Sequence, residues 1–153
     1  IGLLKRNGTP PVLFQPHFSL MDRTPLDDGS IDLCEKEGVG VIPYSIFNQG
    51  ILTGKYLDKI PTDSRMANPD NPFLNKSDWT KPIEQKIREF ANLAKKSGYT
   101  MTNLALAGLL HEKGITSALV GVSRLSQLEE LIGYCENPEI SDDLQEKIRN
   151  IFI

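Results

Sequence analysis

Three short apolar segments, each followed by residues with a helical pattern, constrain the fold of this chain more than any other feature. They cover residues 12–15, 39–45 and 116–123. The third, TSALVGVS, is apolar without alternation, which predicts a strand that is covered on both faces. Apolar strands that alternate with helices favour a parallel sheet with right-handed crossovers. We therefore expect one α/β domain over residues 1–153, with no internal boundary.

Capping residues and glycines delimit the predicted helices. The first residues, IGLLKRNG, have the pattern of a helix end that is followed by a glycine stop. Ser30 is the expected N-cap of a helix that Gly38 ends, and Thr80 is the expected N-cap of another. The remaining helices are predicted over residues 101–113, from residue 123 and from residue 141. Residues 50–80 form a long irregular segment, which in a compact domain is usually functional or mobile.

Charge and composition exclude several classes of function. The net charge of −3 provides no positive field for nucleic acid or acidic membranes. No apolar run approaches the ~20 residues of a membrane span. Cys34 and Cys135 lack CxxC spacing and are predicted to be reduced, mostly buried thiols, as in a reducing cytoplasm. His17 and His111 have no carboxylate or cysteine at ligand spacing, so no metal site is predicted.

Candidate binding residues follow the predicted strands, because ligands of such folds bind outside the carboxyl ends of the strands. The candidates are Gln15, His17 and Arg23 after the first strand, Tyr44, Ser45, Asn48, Gln49, Gly50 and Lys55 after the second, and Gly121, Ser123, Arg124, Gln127 and Glu130 after the third. This set combines an aromatic ring, amides, glycines and cations, which suggests an extended phosphorylated nucleotide as the ligand.

The chemistry of individual residues supports this interpretation. The ring of Tyr44 can stack on a planar heterocycle, and Gly50 and Gly54 allow the backbone to approach a ligand closely. Lys55 can neutralise a phosphate, and Arg124 lies beside the N–H groups of a helix N-terminus, a ready anion site. A simpler reading is open for each: an aromatic residue at the edge of the core, a solvated lysine and an ordinary helix cap.

Four segments, read in order along the chain, resemble the C-terminal half of an aldo-keto reductase. They are FQPHFSLMDR, IPYSIFNQGILTGKY, IPTDSR and LVGVSRLSQLEELIG. The resemblance is greatest to the branch that holds the bacterial glyceraldehyde-phosphate reductases and the potassium-channel beta subunits. It implies the C-terminal portion of a (β/α)₈ TIM barrel, with parallel strands six to eight and their helices. Residues 1–153 would be a single partial domain, with 50–80 as a long cofactor-covering loop.

The resemblance also implies that NADPH is the cofactor in a reduction of aldehydes or ketones to alcohols. The implied cofactor-binding residues are Gln15 and Tyr44 at the nicotinamide, Ser45, Ile46, Phe47, Asn48 and Gln49 along the pyrophosphate, Lys55 and Arg65 at a phosphate or closing the loop, Gly121, Ser123 and Arg124 at the adenosine 2′-phosphate, and Gln127 and Glu130 at the adenine or its ribose. Three positions depart from the family pattern: Ile46 replaces a proline, Leu131 an asparagine and Gly108 a tryptophan.

The family's catalytic aspartate, tyrosine, lysine and histidine come from strands two to four, and none of them maps to this chain. The chain alone is therefore expected to be inactive and to need further polypeptide to act on a small carbonyl substrate. Two alternatives stay open: a non-catalytic nucleotide-binding or regulatory module like a channel beta subunit, and a small α/β protein that binds nothing. Exposed strand edges suggest self-association. A cytoplasmic location is expected, with no nucleic-acid or membrane partner.

Overall fold

Short parallel strands and longer helices alternate along the chain in the computed structural model, which describes residues 1–135 and 139–153. The elements, in chain order, are α1 (Gly2–Arg6), β1 (Leu13–Phe14), α2 (Thr24–Asp27), α3 (Ser30–Glu37), β2 (Gly40–Val41), 3₁₀ helices at Asn48–Thr53, Arg65–Ala67 and Lys76–Asp78, α4 (Lys81–Lys96), α5 (Met101–Leu110), α6 (Leu125–Cys135) and α7 (Asp142–Phe152). The predicted α/β character is confirmed at this level.

The sheet pairs β1 with β2 in parallel, with Leu13 opposite Gly40. An isolated parallel bridge between His17 and Tyr44 continues the pairing beyond both strands. A Cβ on Gly40 would lie 2.8 Å from Cδ2 of Leu13, so a larger residue there would require the exposed Leu13 side chain to move. The two strands thus lie within the predicted ranges 12–15 and 39–45, but each is shorter than predicted.

Residues 116–123 form no regular strand, which corrects the third strand prediction. The segment does lie alongside β2: the N–H of Thr116 donates to the carbonyl of Val41 at 2.9 Å, and that of Leu119 to the carbonyl of Pro43 at 2.8 Å. The return bonds are missing, because Pro43 has no N–H and the N–H of Val41 donates to the Thr116 hydroxyl at 3.0 Å. Leu119 and Val122 are exposed, so the expectation of two covered faces is also wrong.

The helices follow the predicted limits closely, with local differences. The α3 range 30–37 and its end at Gly38, with φ of 69°, are confirmed, but its N-cap is Gly29 rather than Ser30. The N–H of Ser30 instead donates to the carboxylate of Asp28 at 2.8 Å. The helix predicted over 101–113 ends at Leu110, and the helix expected from residue 123 begins two residues later. The short helix α2 was not among the predicted helices.

The irregular segment 50–80 contributes to the core instead of lying loosely over it. Its buried apolar side chains are Ile51, Leu52, Tyr56, Met66 and Leu74, which belong to the main core with buried residues of α4, α5, α6 and α7. Three short 3₁₀ helices are its only regular structure among the described residues. This segment therefore has a defined position beside the end of β2.

Gly108 lies at a contact between α5 and α7. A Cβ at this position would lie 3.2 Å from Cδ1 of Ile148 and 3.3 Å from Cδ2 of Leu20. The side-chain amide of Gln145 donates to the Gly108 carbonyl at 3.0 Å. Side chains from α7 and from the loop after β1 thus occupy the space beside Gly108, where the family pattern has a tryptophan.

A buried carboxylate, that of Glu112, connects three distant parts of the chain. It accepts hydrogen bonds from Arg23 at 2.8 Å, from Arg149 at 2.9 Å and from the Gln145 amide at 2.7 Å. Burial by itself would raise the pKa of Glu112, but the hydrogen bonds from Arg149 and Arg23 outweigh it and hold that pKa below its usual value. We call these four residues the Glu112 cluster.

The remaining composition-based expectations concern thiols, metals and membranes. Cys34 and Cys135 are free thiols, but only Cys34 is buried; the predicted burial of Cys135 is wrong. Within residues 1–135 and 139–153, no group of three or more His, Cys, Asp or Glu side chains is arranged to hold a metal ion. In the same ranges, no helix combines the length and the apolar character needed to cross a bilayer.

Candidate functional site

A cavity of about 720 Å³ opens where β2 ends. Four stretches of chain line it: the residues that leave β2, part of the irregular segment 50–80, Thr102 of α5, and part of residues 119–131. The lining includes these predicted site residues: Tyr44, Ser45, Ile46, Phe47, Gln49, Lys55, Arg65, Gly121, Ser123, Gln127 and Glu130. Side chains that lie more than 70 positions apart in the sequence thus line the same cavity.

Five candidate residues do not line the cavity: His17 and Arg23 after the first strand, and the implied cofactor-binding residues Gln15, Asn48 and Arg124. The side-chain amide of Asn48 is directed at the sulfur of Met21, at 3.3 Å, and so contacts the loop after β1. Arg124 is exposed at the start of α6. The cofactor-binding roles predicted for Gln15, Asn48 and Arg124 stay predictions.

Sequence reasoning also missed several lining residues. They are Thr53, Asp63, Thr102, Leu119, Val120, Val122 and Leu131. Asp63 belongs to the IPTDSR motif, which could have pointed to it, whereas Thr102 lies on α5 and follows no strand. Only the packing of α5 beside the β2 exit brings Thr102 to the cavity.

The ring of Tyr44 is exposed at the cavity and does not belong to the core. The His17 ring contacts it edge-on, with centroids 5.3 Å apart and planes at 79°. His17 is held in turn by the carboxylate of Asp22, 2.7 Å from its Nδ1. Burial opposes it, but hydrogen bonds from Thr24 and His17 lower the pKa of Asp22. The exposed Tyr44 ring favours a stacking role over the reading as a residue at the edge of the core.

A strained turn forms the rim of the cavity after β2. Ser45, Asn48 and Gln49 all have left-handed backbone conformations, with φ of 61°, 45° and 56°. Such residues each cost on the order of 1–3 kcal/mol and cluster at functional sites. The turn is held by a bond from the Asn48 N–H to the Ser45 carbonyl at 2.8 Å, and by the Tyr56 hydroxyl, which donates to the Gln49 carbonyl at 3.3 Å.

Two cations lie on this rim. The Lys55 side chain runs along Gly50, where a Cβ would lie 3.3 Å from Cδ of Lys55 and 3.6 Å from its Nζ. Arg65 donates to the side-chain carbonyl of Gln49 at 2.6 Å. Neither cation forms an ion pair with a described residue within 4.0 Å, although Asp63 also lines the cavity. A phosphate group would find charge-assisted hydrogen-bond donors here.

The N-terminus of α6 is not the free anion site that the sequence predicted. The side-chain carbonyl of Gln127 accepts from the N–H of Ser123 at 2.9 Å and from that of Arg124 at 3.2 Å. A glutamine one turn into a helix can reach back to cap its first N–H groups, which explains this arrangement. Glu130 is engaged as well, because it accepts from the Thr100 hydroxyl at 2.8 Å and so links α6 to α5.

Comparison with known proteins identifies the chain by its sequence. The model of the Aldo/keto reductase family matches residues 2–152. The L-glyceraldehyde 3-phosphate reductase of Escherichia coli O157:H7 is 35% identical over 145 residues, which cover 94% of this chain and 42% of that protein. The protein of the same name from Escherichia coli (strain K12) is 35% identical over 139 residues, 90% of this chain and 40% of that protein. The chain thus spans less than half the length of these relatives. It belongs to the aldo/keto reductase family.

Proposed function

We propose that this chain is the C-terminal, cofactor-binding part of an NADPH-dependent aldo-keto reductase that reduces aldehydes or ketones to alcohols. The observation that carries the proposal is the convergence of three predicted segments on one cavity of about 720 Å³. Ligand cavities of a few hundred to about 1,000 Å³ bury most of a small molecule, and a long dinucleotide can extend beyond one. The proposal places the chain at strands six to eight of a (β/α)₈ barrel.

The donor set of the cavity suits a phosphorylated dinucleotide. Lys55 and Arg65 would hold phosphate, and the exposed ring of Tyr44 would hold the nicotinamide. Gly50 has no side chain, so backbone and ligand can come close there. At the N-terminus of α6, an anion would compete with the Gln127 carbonyl for the N–H groups of Ser123 and Arg124. When bound, NADPH supplies a hydride to the carbonyl carbon of the substrate.

We assign the proton donor to polypeptide outside this chain. A general acid is most effective when its pKa lies near the operating pH. Burial, with smaller contributions from Tyr99 and Cys135, raises the pKa of Tyr134 to about 12, which disfavours it as an acid. Tyr56 is buried and donates to a backbone carbonyl. The family's catalytic aspartate, tyrosine, lysine and histidine would then belong to the larger part of the relatives that this chain does not match.

The proposal extends to substrate and location. The names of the relatives describe an enzyme that reduces L-glyceraldehyde 3-phosphate, so an aldehyde phosphate is the substrate class to test first. Residues 50–80 would cover the cofactor, because Lys55, Asp63 and Arg65 of this segment line the cavity. We propose a cytoplasmic location, without a nucleic-acid or membrane partner.

Titration with NADPH tests the proposal, with nicotinamide fluorescence as the readout. We expect saturable binding that Lys55→Ala and Arg65→Ala each weaken about tenfold or more, because each removes a charge-assisted bond to phosphate. Lys59→Ala is the matched control: it removes the same charge from an exposed position of the same segment that does not line the cavity. No saturable binding, or an equal loss in the control, would contradict the proposal.

A non-catalytic nucleotide-binding module remains the second candidate, since it needs the same cavity but no proton donor. Both candidates predict NADPH binding by this chain. Carbonyl reduction distinguishes them, and it has to be measured after the chain has been combined with the missing part of the reductase. NADPH oxidation that depends on an aldehyde phosphate supports the reductase, whereas binding without turnover supports the module.

A further inference from the structure

We propose that His17 is a positioning residue for the cofactor: it fixes the ring of Tyr44, against which the nicotinamide stacks, and Asp22 fixes His17 in turn. The inference rests on the proposed function, because it concerns the nicotinamide end of the same site. Tyr44 lines the cavity, whereas His17 does not. His17 therefore acts on the cofactor through Tyr44 and not by direct contact.

Strand pairing places His17 beside Tyr44. The two residues form an isolated parallel bridge in the same register as β1 and β2. The N–H of Tyr44 donates to the carbonyl of Pro16 at 3.0 Å, and the N–H of Phe18 donates to the carbonyl of Tyr44 at 3.3 Å. Residues at paired positions of neighbouring strands direct their side chains to the same face of a sheet. The backbone thus brings the imidazole and the phenol ring together.

The Tyr44 ring depends on His17 for its orientation. Tyr44 is 43% exposed, and its hydroxyl forms no hydrogen bond with a described residue. Within residues 1–135 and 139–153, its one ring contact is with His17, at 5.3 Å between the centroids and 79° between the planes. Aromatic pairs favour this separation and a nearly perpendicular arrangement. Without the imidazole, the exposed phenol ring can occupy other rotamers.

His17 needs a support of its own, because its side chain is 38% exposed. One oxygen of the Asp22 carboxylate, Oδ2, accepts from Nδ1 of His17 at 2.7 Å. The other oxygen, Oδ1, accepts from the N–H of Thr24 at 3.2 Å and from its hydroxyl at 2.8 Å. The backbone of Asp22 pairs in both directions with that of the buried Ser19. Asp22 thus connects the imidazole to a fixed part of the fold.

The Asp22 carboxylate also determines which nitrogen of a neutral His17 ring carries the proton. Although burial opposes it, hydrogen bonds from Thr24 and His17 lower the pKa of Asp22, so at neutral pH the carboxylate is ionised and can only accept. A neutral imidazole in this contact keeps its proton on Nδ1 and leaves Nε2 unprotonated. The tautomer of His17 is therefore a signature of the Asp22 contact that does not depend on the cofactor.

This positioning acts on one end of the cofactor only. A ring that is already held in its binding orientation does not have to be ordered when the nicotinamide binds. We expect His17→Ala to weaken NADPH binding about three- to tenfold, because Tyr44 then has to be ordered by the ligand. Binding of 2′-phospho-ADP-ribose, which lacks the nicotinamide, should change by less than about twofold, because it does not order Tyr44.

Calorimetric titration with both ligands tests the inference, with His111→Ala as the matched control. His111 is the other of the two histidines; it too contacts an aspartate, Asp142 at 2.9 Å, and it does not line the cavity. The control should leave both affinities unchanged. Unchanged NADPH affinity in His17→Ala, an equal loss for the two ligands, or an equal loss in the control would overturn the inference alone. Absence of NADPH binding by the wild type would overturn the proposed function, and the inference with it.

Asp22→Ala distinguishes positioning through His17 from a separate effect of the loop. It should weaken NADPH binding in the wild-type background and have no further effect in His17→Ala, because two residues that act as one unit are not additive. Independent, additive losses would contradict the role assigned to Asp22.

Nuclear magnetic resonance of the imidazole nitrogens provides a readout that needs no ligand. His17→Ala assigns the signals, since the chain contains two histidines. We expect neutral His17 to carry its proton on Nδ1 in the wild type and to lose this preference in Asp22→Ala. A proton on Nε2 in the wild type would contradict the Asp22 contact, and Tyr44 ring signals that stay unchanged in His17→Ala would contradict the contact between the rings.

Discussion

Replacing Glu112 with glutamine should destabilise the fold by about 3 kcal/mol. The substitution removes the negative charge that Arg23 and Arg149 pair with in the Glu112 cluster. Glu112 is 4% exposed and accepts bonds from Arg23, Arg149 and Gln145. Breaking a buried ion pair by removing one partner costs about 3–5 kcal/mol. The low end applies here, since the side chain of Arg149 is 42% exposed and water can solvate it after the substitution.

Urea denaturation measures this loss, with Trp79 fluorescence and far-ultraviolet circular dichroism as probes. Trp79 packs against the main core, so its emission reports on tertiary structure. With a slope of about 1–3 kcal/mol per molar urea, a loss of this size lowers the midpoint by about 1–3 M. The measurement requires a two-state transition in which both probes coincide.

Glu35→Gln is the matched control for this experiment. Glu35 pairs with Lys113 at 3.2 Å, and both side chains are well exposed. Exposed pairs contribute about 0–1 kcal/mol, so the control should shift the midpoint only slightly. The reasoning fails if Glu112→Gln costs less than about 1 kcal/mol, or if the control costs as much as Glu112→Gln.

Three further predictions concern acid stability, helix glycines and the α6 cap. The lowered pKa of Glu112 contributes stability that is present above the unfolded value near 4.5 and is lost as the pH falls through the folded pKa; acid titration should show this loss in the wild type and not in Glu112→Gln. Gly108→Ala should lower the free energy of unfolding by about 1 kcal/mol in urea melts, because the added Cβ crowds Ile148. Gly133→Ala should raise it by up to about 1 kcal/mol, because no described atom lies within 4 Å of the added Cβ and alanine favours the helix. Gln127→Ala should speed exchange of the Ser123 and Arg124 N–H groups and cost about 0.5–2 kcal/mol; unchanged exchange would contradict the capping role.

Much of the candidate site could be anticipated because its residues lie next to the predicted ends of strands. Tyr44, Gln49, Lys55 and Arg65 all come from the second strand exit and the motifs that follow it, and all four line the cavity. Whether they bind a cofactor stays a prediction. The position of Asn48 was not anticipated, because the left-handed turn directs its side chain to Met21. A pattern of strands and loops does not specify the φ of individual loop residues.

Local signals determined the helices and the family. Helix α3 ends where Gly38 adopts a left-handed conformation, and Ser141 caps α7 by accepting from the N–H of Leu144 at 3.2 Å. Both depend only on residues within one helical turn, so the order of residues is sufficient to predict them. The motifs from FQPHFSLMDR to LVGVSRLSQLEELIG likewise carry the family in their order along the chain.

Only the tertiary structure decided the contacts between distant segments. Arg23 meets Glu112 across 89 positions of sequence, and Thr116 meets Val41 across 75. Whether residues 116–123 complete a strand depends on Pro43, which lies opposite them and lacks the required N–H. The physical reason is that capping and turn signals act within a few residues, whereas burial, ion pairing and strand pairing depend on which elements pack side by side.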